Sequence, residues 1–225
     1  QMTDAVANGV VRGLIVSGPP GVGKSFGVEK VLEEYDMMTK LSNQAPRTEI
    51  VKGSMTPIGL YQTLFNNSNE GDILVFDDCD SVLKDPVALN LLKSALDSFG
   101  KRYISWNAET RGDDSLPTSF EFKGQIVFIT NVDLDRLDQA VKSRSMCIDL
   151  TMSQDDKLER MEKIAFADEF LPGVDLEAKK DALDFLKSKK DDISDLNLRS
   201  LIQVSNIANS GDPEWRDLAK YVISQ

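Results

Sequence analysis

Gly18-Pro19-Pro20-Gly21-Val22-Gly23-Lys24-Ser25 follows directly on the apolar run Leu14-Ile15-Val16 and leads into a helical pattern from Lys24 to Tyr35. The spacing is that of a phosphate-binding loop, GxxxxGK[ST], in the strand–loop–helix setting its chemistry needs. Glycines let the backbone curl so that successive N–H groups face phosphate oxygens, and the helix that follows adds the positive end of its dipole. Lys24 is placed to neutralise the β- and γ-phosphates and the Ser25 hydroxyl to ligate Mg2+. The expected nucleotide-binding set is Gly18, Pro19, Pro20, Gly21, Val22, Gly23, Lys24, Ser25 and Phe26, with ATP and Mg2+ as cofactors. The alternative is a Gly-rich turn that meets the pattern by chance, for which strand, spacing and helix must all coincide.

Outward from the loop, apolar runs alternate with helical patterns. Strands are expected at Gly13–Ser17, Glu49–Gly53, Ile73–Asp77, Gln125–Asn131 and Met146–Leu150, and helices at Lys24–Tyr35, Pro57–Asn67, Pro86–Phe99 and Leu134–Lys142. Three of the strands are nearly all apolar, as strands covered on both faces are. The alternation predicts an α/β fold: a parallel five-stranded sheet flanked by helices, over residues 1–150. From Thr151 onward only helical patterns follow, at Ser153–Phe170, Asp175–Ser188, Leu196–Asn209 and Pro213–Ser224. Ser153, Asp175, Asp195 and Asp212 are the expected N-caps, with Pro213 at a first helical position. Residues 151–225 therefore read as a small all-α lid domain whose Met161, Phe166, Phe170 and Phe185 form core.

The strand Ile73-Leu74-Val75-Phe76 delivers Asp77-Asp78-Cys79-Asp80 at its C-terminal end, where a parallel sheet places metal-binding groups. Asp77 is expected to hold Mg2+ through water and Asp78 to orient or deprotonate an attacking water. The alternative is a solvated Asp-rich turn. Composition narrows the chemistry further. The 225 residues contain no histidine, which excludes His-based triads, His-ligated zinc and His acid–base catalysis. Cys79 and Cys147 form no CxxC pair and suggest a reducing compartment, so a cytoplasmic location is expected. Lys and Arg number 26 against 37 Asp and Glu, a net charge of −11, which argues against a protein that coats nucleic acid through global basicity. No run is long and apolar enough to span a bilayer, and the start lacks the order of a signal peptide, so no membrane partner is expected. Met2 behind Gln1 suggests a chain cut from a longer one.

With these two motifs and the helical lid on the page, the chain resembles the AAA+ ATPases over nearly its whole length. Gly18–Ser25 is similar to that family's GPPGTGKT loop, and Asp77-Asp78 stands where the family has Asp-Glu. Asp78 is one methylene shorter than the usual base, which implies slow hydrolysis or altered geometry. The resemblance implies a polar sensor 1 at the end of Gln125–Thr130. Asn131 fits this role, and Thr130 is the fallback. Lys142-Ser143-Arg144-Ser145 resembles the Ser-Arg-Cys motif of clamp loaders, which makes Arg144 the candidate finger into a neighbouring subunit. Guanidinium suits that task, being planar, permanently charged and bidentate. Asn197-Leu198-Arg199-Ser200-Leu201 resembles the sensor-2 signature, which makes Arg199 the lid arginine. The implied catalytic set is Lys24, Asp78, Asn131, Arg144 and Arg199, with Ser25 and Asp77 on the metal.

Residues 101–124 resemble the family's presensor hairpin, an insertion with strand-like alternation at Tyr103–Asn107 and Ser119–Phe122. Its Lys101, Arg102, Arg111 and Trp106 are the expected nucleic-acid contacts, against Asp113 and Asp114 near the tip. The loop after the second strand offers Lys52 to phosphates or Met55 to a polypeptide. The resemblance implies a Mg2+-dependent ATPase that assembles with itself into a ring, a hexamer in the expected form, and remodels or translocates DNA or a protein through a central pore. DNA replication or metabolism is the expected setting. The alternatives are a slow-hydrolysing nucleotide switch that loads or adapts a protein partner, and a protein-remodelling chaperone.

Overall fold

The computed structural model describes residues 1–42, 45, 47–107, 116–193 and 196–223. The chain divides into two compact units, one of residues 1–18 and 24–150, the other of residues 19–23 and 151–225. In the first, five parallel strands run β1 (Gly13–Ser17), β2 (Thr48–Lys52), β3 (Ile73–Asp77), β6 (Gln125–Thr130) and β7 (Met146–Asp149), in the spatial order β2-β3-β6-β1-β7. β1, β3 and β6 are buried at every position, while β2, at an edge, has only half-buried and exposed residues.

Successive side chains of a strand point to opposite faces, so an all-apolar strand needs cover on both sides. Ile15, Leu74, Phe76, Ile126 and Phe128 join one core with Leu60, Leu64 and Leu92 from α3 (Pro57–Asn66) and α4 (Pro86–Ala95). Leu14, Val16, Ile73, Val75, Val127 and Ile129 join the other with Val28 and Leu32 of α2 (Lys24–Leu41). That second core also takes Val6 from α1 (Met2–Ala7), a helix that the sequence reading omits. Six residues with one buried apolar anchor carry no helical periodicity to detect.

Several helix boundaries move, α2 running on to Leu41 past the expected Tyr35. The expected helix Leu134–Lys142 is a 3-10 turn, Leu134–Arg136, then α5, Gln139–Ser143. Asp138 breaks the run: its carboxylate accepts from the N–H groups of Ala140 and Val141, starting a new helix. α4 stops at Ala95, short of the expected Phe99. β4 (Tyr103–Ser105) and β5 (Ser119–Glu121) pair antiparallel as a separate two-stranded ribbon, with Ile104 and Phe120 turned into the first core. Thr110, Arg111, Gly112, Asp113 and Asp114 lie outside the described residues.

The second unit holds α6 (Gln154–Ala165), α7 (Leu176–Ser188), α8 (Leu198–Ala208) and α9 (Trp215–Ile223) around Leu158, Met161, Leu183, Leu201, Val204 and Trp215. Ser153 caps α6 in a capping box with Asp156. Asp175 stands at the N-cap of α7 without a side-chain bond. Asp195 lies outside the described residues, and α8 is capped by Asn197, whose Oδ1 accepts from the N–H groups of Arg199 and Ser200. α9 starts at Trp215 rather than Pro213, because Asp212 holds the Glu214 N–H in a preceding turn. Phe166 is 46% exposed and is not core, since α6 ends at Ala165 and Phe166 caps it.

Candidate functional site

Parallel strands share one C-terminal edge, and the register sets what meets there. Lys52 pairs with Asp77 across β2 and β3, Asp77 with Ile129 across β3 and β6, and Ser17 with Thr130 across β1 and β6. The first residues of α2 reach the same edge. The Lys24 ammonium, 8% exposed, donates to the Gly18 carbonyl at 2.8 Å and to Asn131 Oδ1 at 2.7 Å. Asn131 Nδ2 in turn donates to Asp78 Oδ1 at 2.9 Å. One neutral amide thus joins the loop lysine to the second acid, and its carbonyl and amino ends suit a cation and an anion respectively.

Thr130, the fallback for Asn131, is fully buried and donates to Asp80 Oδ1 at 2.5 Å. It braces the acidic turn from behind. Asp78 itself is exposed and has a φ of +55°, in the left-handed region where Asp is tolerated better than most residues. Its backbone N–H donates to the Ile129 carbonyl at 3.0 Å, which fixes the turn to β6. Cys79, beside it, is buried with its thiol on the Val51 carbonyl, and burial pushes the thiol pKa up, so it stays protonated.

The Ser25 hydroxyl donates to Asp77 Oδ1 at 2.9 Å. Hydroxyl and carboxylate oxygens are the hard donors that Mg2+ takes, so these two residues fit the ion and would hold it in part through water. The other oxygen, Asp77 Oδ2, lies 3.1 Å from the Lys52 ammonium, which also meets Glu29 Oε1 at 2.8 Å. Hydrogen bonds to Glu29 and then Asp77 raise the Lys52 pKa. The sequence reading offers Lys52 to phosphates or leaves it in a plain strand-to-helix loop; the structure puts it against the Asp77 carboxylate. No motif signals this, because the pairing arises from strand register.

Arg144 caps the end of α5, half-buried, with its guanidinium donating to the Ala140 carbonyl at 2.9 Å. Phe26 is 39% exposed on the first turn of α2. In the helical unit, Arg199 is exposed on the first turn of α8. Loop residues 19–23 belong to that unit, where the Leu198 N–H donates to the Gly21 carbonyl at 2.7 Å. Gly21 has a φ of +72°, and a Cβ there would lie 2.7 Å from the Asn197 side chain, so glycine is required twice over. Arg160 of α6 approaches Gly23, with its Nε buried and unpartnered. The sequence offered no sign of it.

The hairpin differs from its reading as a nucleic-acid contact. Arg102 is 7% exposed, donates to the Ala95 carbonyl and lies 5.0 Å over the Phe122 ring. Trp106 packs on Tyr61 at 5.9 Å, its indole Nε1 buried and without a partner among the described residues. Arg102 is thus buried and Trp106 half-buried, each with an aromatic ring against it. Lys101 remains exposed, and Arg111 lies outside the described residues.

Residues 14–153 match the family described as ATPases associated with various cellular activities (AAA). The chain is 31% identical over 234 residues to an uncharacterized 36.7 kDa protein of Enterobacteria phage T4 from the nrdC-mobD intergenic region, covering 97% of this chain and 70% of that one. Among solved structures it resembles Aeropyrum pernix ORC1 in complex with DNA, with a TM-score of 0.59, 15% identity and coverage of 99% and 63% of the two chains. It also resembles Caenorhabditis elegans PCH-2, with a TM-score of 0.54, 14% identity and coverage of 99% and 65%. The chain thus spans less than two thirds of the length of either structure, and at these identities the likeness is one of fold. Among the described residues no helix is long and apolar enough to cross a membrane.

Proposed function

The chain belongs to the AAA family of ATPases, and from that premise we propose that it binds and hydrolyses ATP with Mg2+ in a self-assembled ring. The observation that supports this most is the chain of contacts Gly18–Lys24–Asn131–Asp78 beside Ser25–Asp77. When bound, Mg2+ neutralises phosphate charge. Lys24 holds the phosphates, Asn131 orients the water, and Asp78 takes its proton. Arg144 serves the neighbouring subunit's nucleotide after leaving the Ala140 carbonyl, and Arg199 its own. A site shared in this way requires head-to-tail contacts, which close into rings. The test is specific ATPase rate against protein concentration. The rate should rise with concentration and disappear in Arg144→Ala with nucleotide affinity kept. A flat rate that Arg144→Ala leaves intact overturns the ring.

The substrate we propose is DNA, threaded through the ring, in replication or metabolism. ATPase stimulation by single-stranded DNA, duplex DNA and an unfolded polypeptide, compared in parallel, decides it; stimulation by polypeptide alone makes the protein a chaperone. A second reading, a slow nucleotide switch that grips a protein partner, is supported by the short Asp78 carboxylate held on Asn131. Asp78→Glu separates the two: a large gain in turnover favours the switch.

A further inference from the structure

At the opposite, N-terminal edge of the same sheet lies a cavity of about 510 Å³ lined by basic side chains. Its frame is backbone-locked: the Ile126 N–H donates to the Arg12 carbonyl, the Phe122 N–H to that of Arg102, and the Gln125 N–H to that of Asp72. Arg12, Lys101, Arg102 and Lys123 line it, in a chain whose net charge is −11. The acidic lining is Glu70 and Glu121. Glu121 meets Lys101 and Lys123 only at 3.8 and 3.9 Å.

The two arginines are the unusual part. Arg102 is buried and Arg12 half-buried, and charges taken out of water are ordinarily paired. Among the described residues no carboxylate comes within 4 Å of either guanidinium. Each instead donates to a carbonyl at the C-terminal end of the α4 region, Arg102 to Ala95 and Arg12 to Asp97. These bonds use few of the ten N–H donors that two guanidiniums carry. Burial first, and the Arg12 charge second, pull the Arg102 pKa down to about 10, with Glu121 acting against them. Beside them Gln125, 7% exposed, holds an amide oxygen that is buried and has no hydrogen-bond partner among the described residues. An unpaired buried acceptor and two guanidiniums with no carboxylate in contact, in one cavity, together call for a ligand with a donor and an anion.

We propose that this cavity binds a phosphorylated small molecule of nucleotide size, with its phosphate on Arg12 and Arg102 and a hydroxyl or amino group on Gln125. The volume falls within the range of small-molecule sites. Charge-assisted bonds from a guanidinium suit phosphate, and the orphan oxygen selects ligands that carry a donor over bare phosphate. The site is separate from the phosphate loop, since its residues lie at the other ends of the strands.

Ribose 5-phosphate and inorganic phosphate, titrated by calorimetry into the full chain, test it. Arg12→Gln should weaken ribose 5-phosphate by about tenfold or more, the loss of a charge-assisted bond. Lys123→Gln, at an exposed position where the fold is not in question, should weaken both ligands by about threefold through lost charge alone. Gln125→Met should weaken ribose 5-phosphate and leave inorganic phosphate unchanged. In a Lys24→Ala background the Arg12, Lys123 and Gln125 substitutions should weaken ribose 5-phosphate by the same factors. Binding that survives Arg12→Gln and Lys123→Gln but is lost in Lys24→Ala overturns the proposal and assigns the ligand to the phosphate loop. No binding at millimolar ribose 5-phosphate, or binding of an oligonucleotide alone, also overturns it.

Discussion

The two edges of the central sheet handle charge in opposite ways. At the C-terminal edge Lys52 sits between Glu29 and Asp77, while Lys24 reaches Asp78 through the amide of Asn131. At the N-terminal edge Arg12 and Arg102 rest on backbone carbonyls, and the amide oxygen of Gln125 has no partner. The difference teaches that a site can be marked by what is complete or by what is missing. A matched network is preorganised for a charged reaction, and an unmatched one stores a demand that a ligand can meet.

The largest effect that tests the contrast is at Lys24. Lys24→Ala should lower ATP affinity and turnover by about a hundredfold or more, because a buried ammonium facing the phosphates disappears. Nucleotide titration and a phosphate-release assay measure it, and an effect below about tenfold would remove Lys24 from the reaction. The next effect sits at the other edge and has the opposite sign. Gln125→Met should stabilise the ligand-free α/β unit by about 1 kcal/mol, since a buried acceptor without a partner costs about that much. Thermal unfolding should shift up by about 2–4 °C. A loss of stability there would show that the amide is satisfied, and the contrast between the edges would fail.

Lys52→Met sharpens the matched edge. Removing the ammonium from Asp77 should lower the Mg2+ concentration for half-maximal nucleotide binding by about threefold, the scale of an exposed ion pair. A rise instead would mean that Lys52 helps to assemble the metal site. The smallest effect is a pH dependence at α5, which carries Arg144. A hydrogen bond from Lys93 at 3.1 Å, with help from the N–H groups of Val141 and Ala140, holds the Asp138 carboxyl below its usual 3.8. A depressed carboxyl contributes stability that is present above its unfolded pKa and is lost as pH falls through the folded one. Melting temperature should therefore fall below pH about 4 by a smaller margin in Lys93→Met than in the parent chain. An unchanged margin would show that Lys93 contributes nothing to the cap.

Much of this was legible without coordinates because it is local. Gly18–Ser25 between a strand and a helix marks the phosphate loop by spacing alone. Leu14–Val16, Ile73–Phe76 and Ile126–Ile129 are apolar on every residue, which only a strand covered on both faces allows. The acids at Asp77 and Asp78 follow from the end of such a strand. Asn131 follows from the family resemblance, which asks for a polar residue at the end of β6 and leaves Thr130 as the fallback. Helix ends were less legible, because capping is settled by one side chain. Asp138 split a predicted helix, and Phe166 fell outside one.

The sequence by itself determined which residues form strands, where the phosphate loop sits and which acids follow β3, because these depend on periodicity and on neighbours along the chain. Only the tertiary structure decided what meets across strands. It set Lys52 on Asp77, and it packed Arg102 and Trp106 of the hairpin against Phe122 and Tyr61. It also brought Arg12 and Arg102 into one cavity with Gln125. The physical reason is register: two strands far apart in the chain align to bury their apolar faces, and the polar residues at their ends meet as a consequence of that alignment.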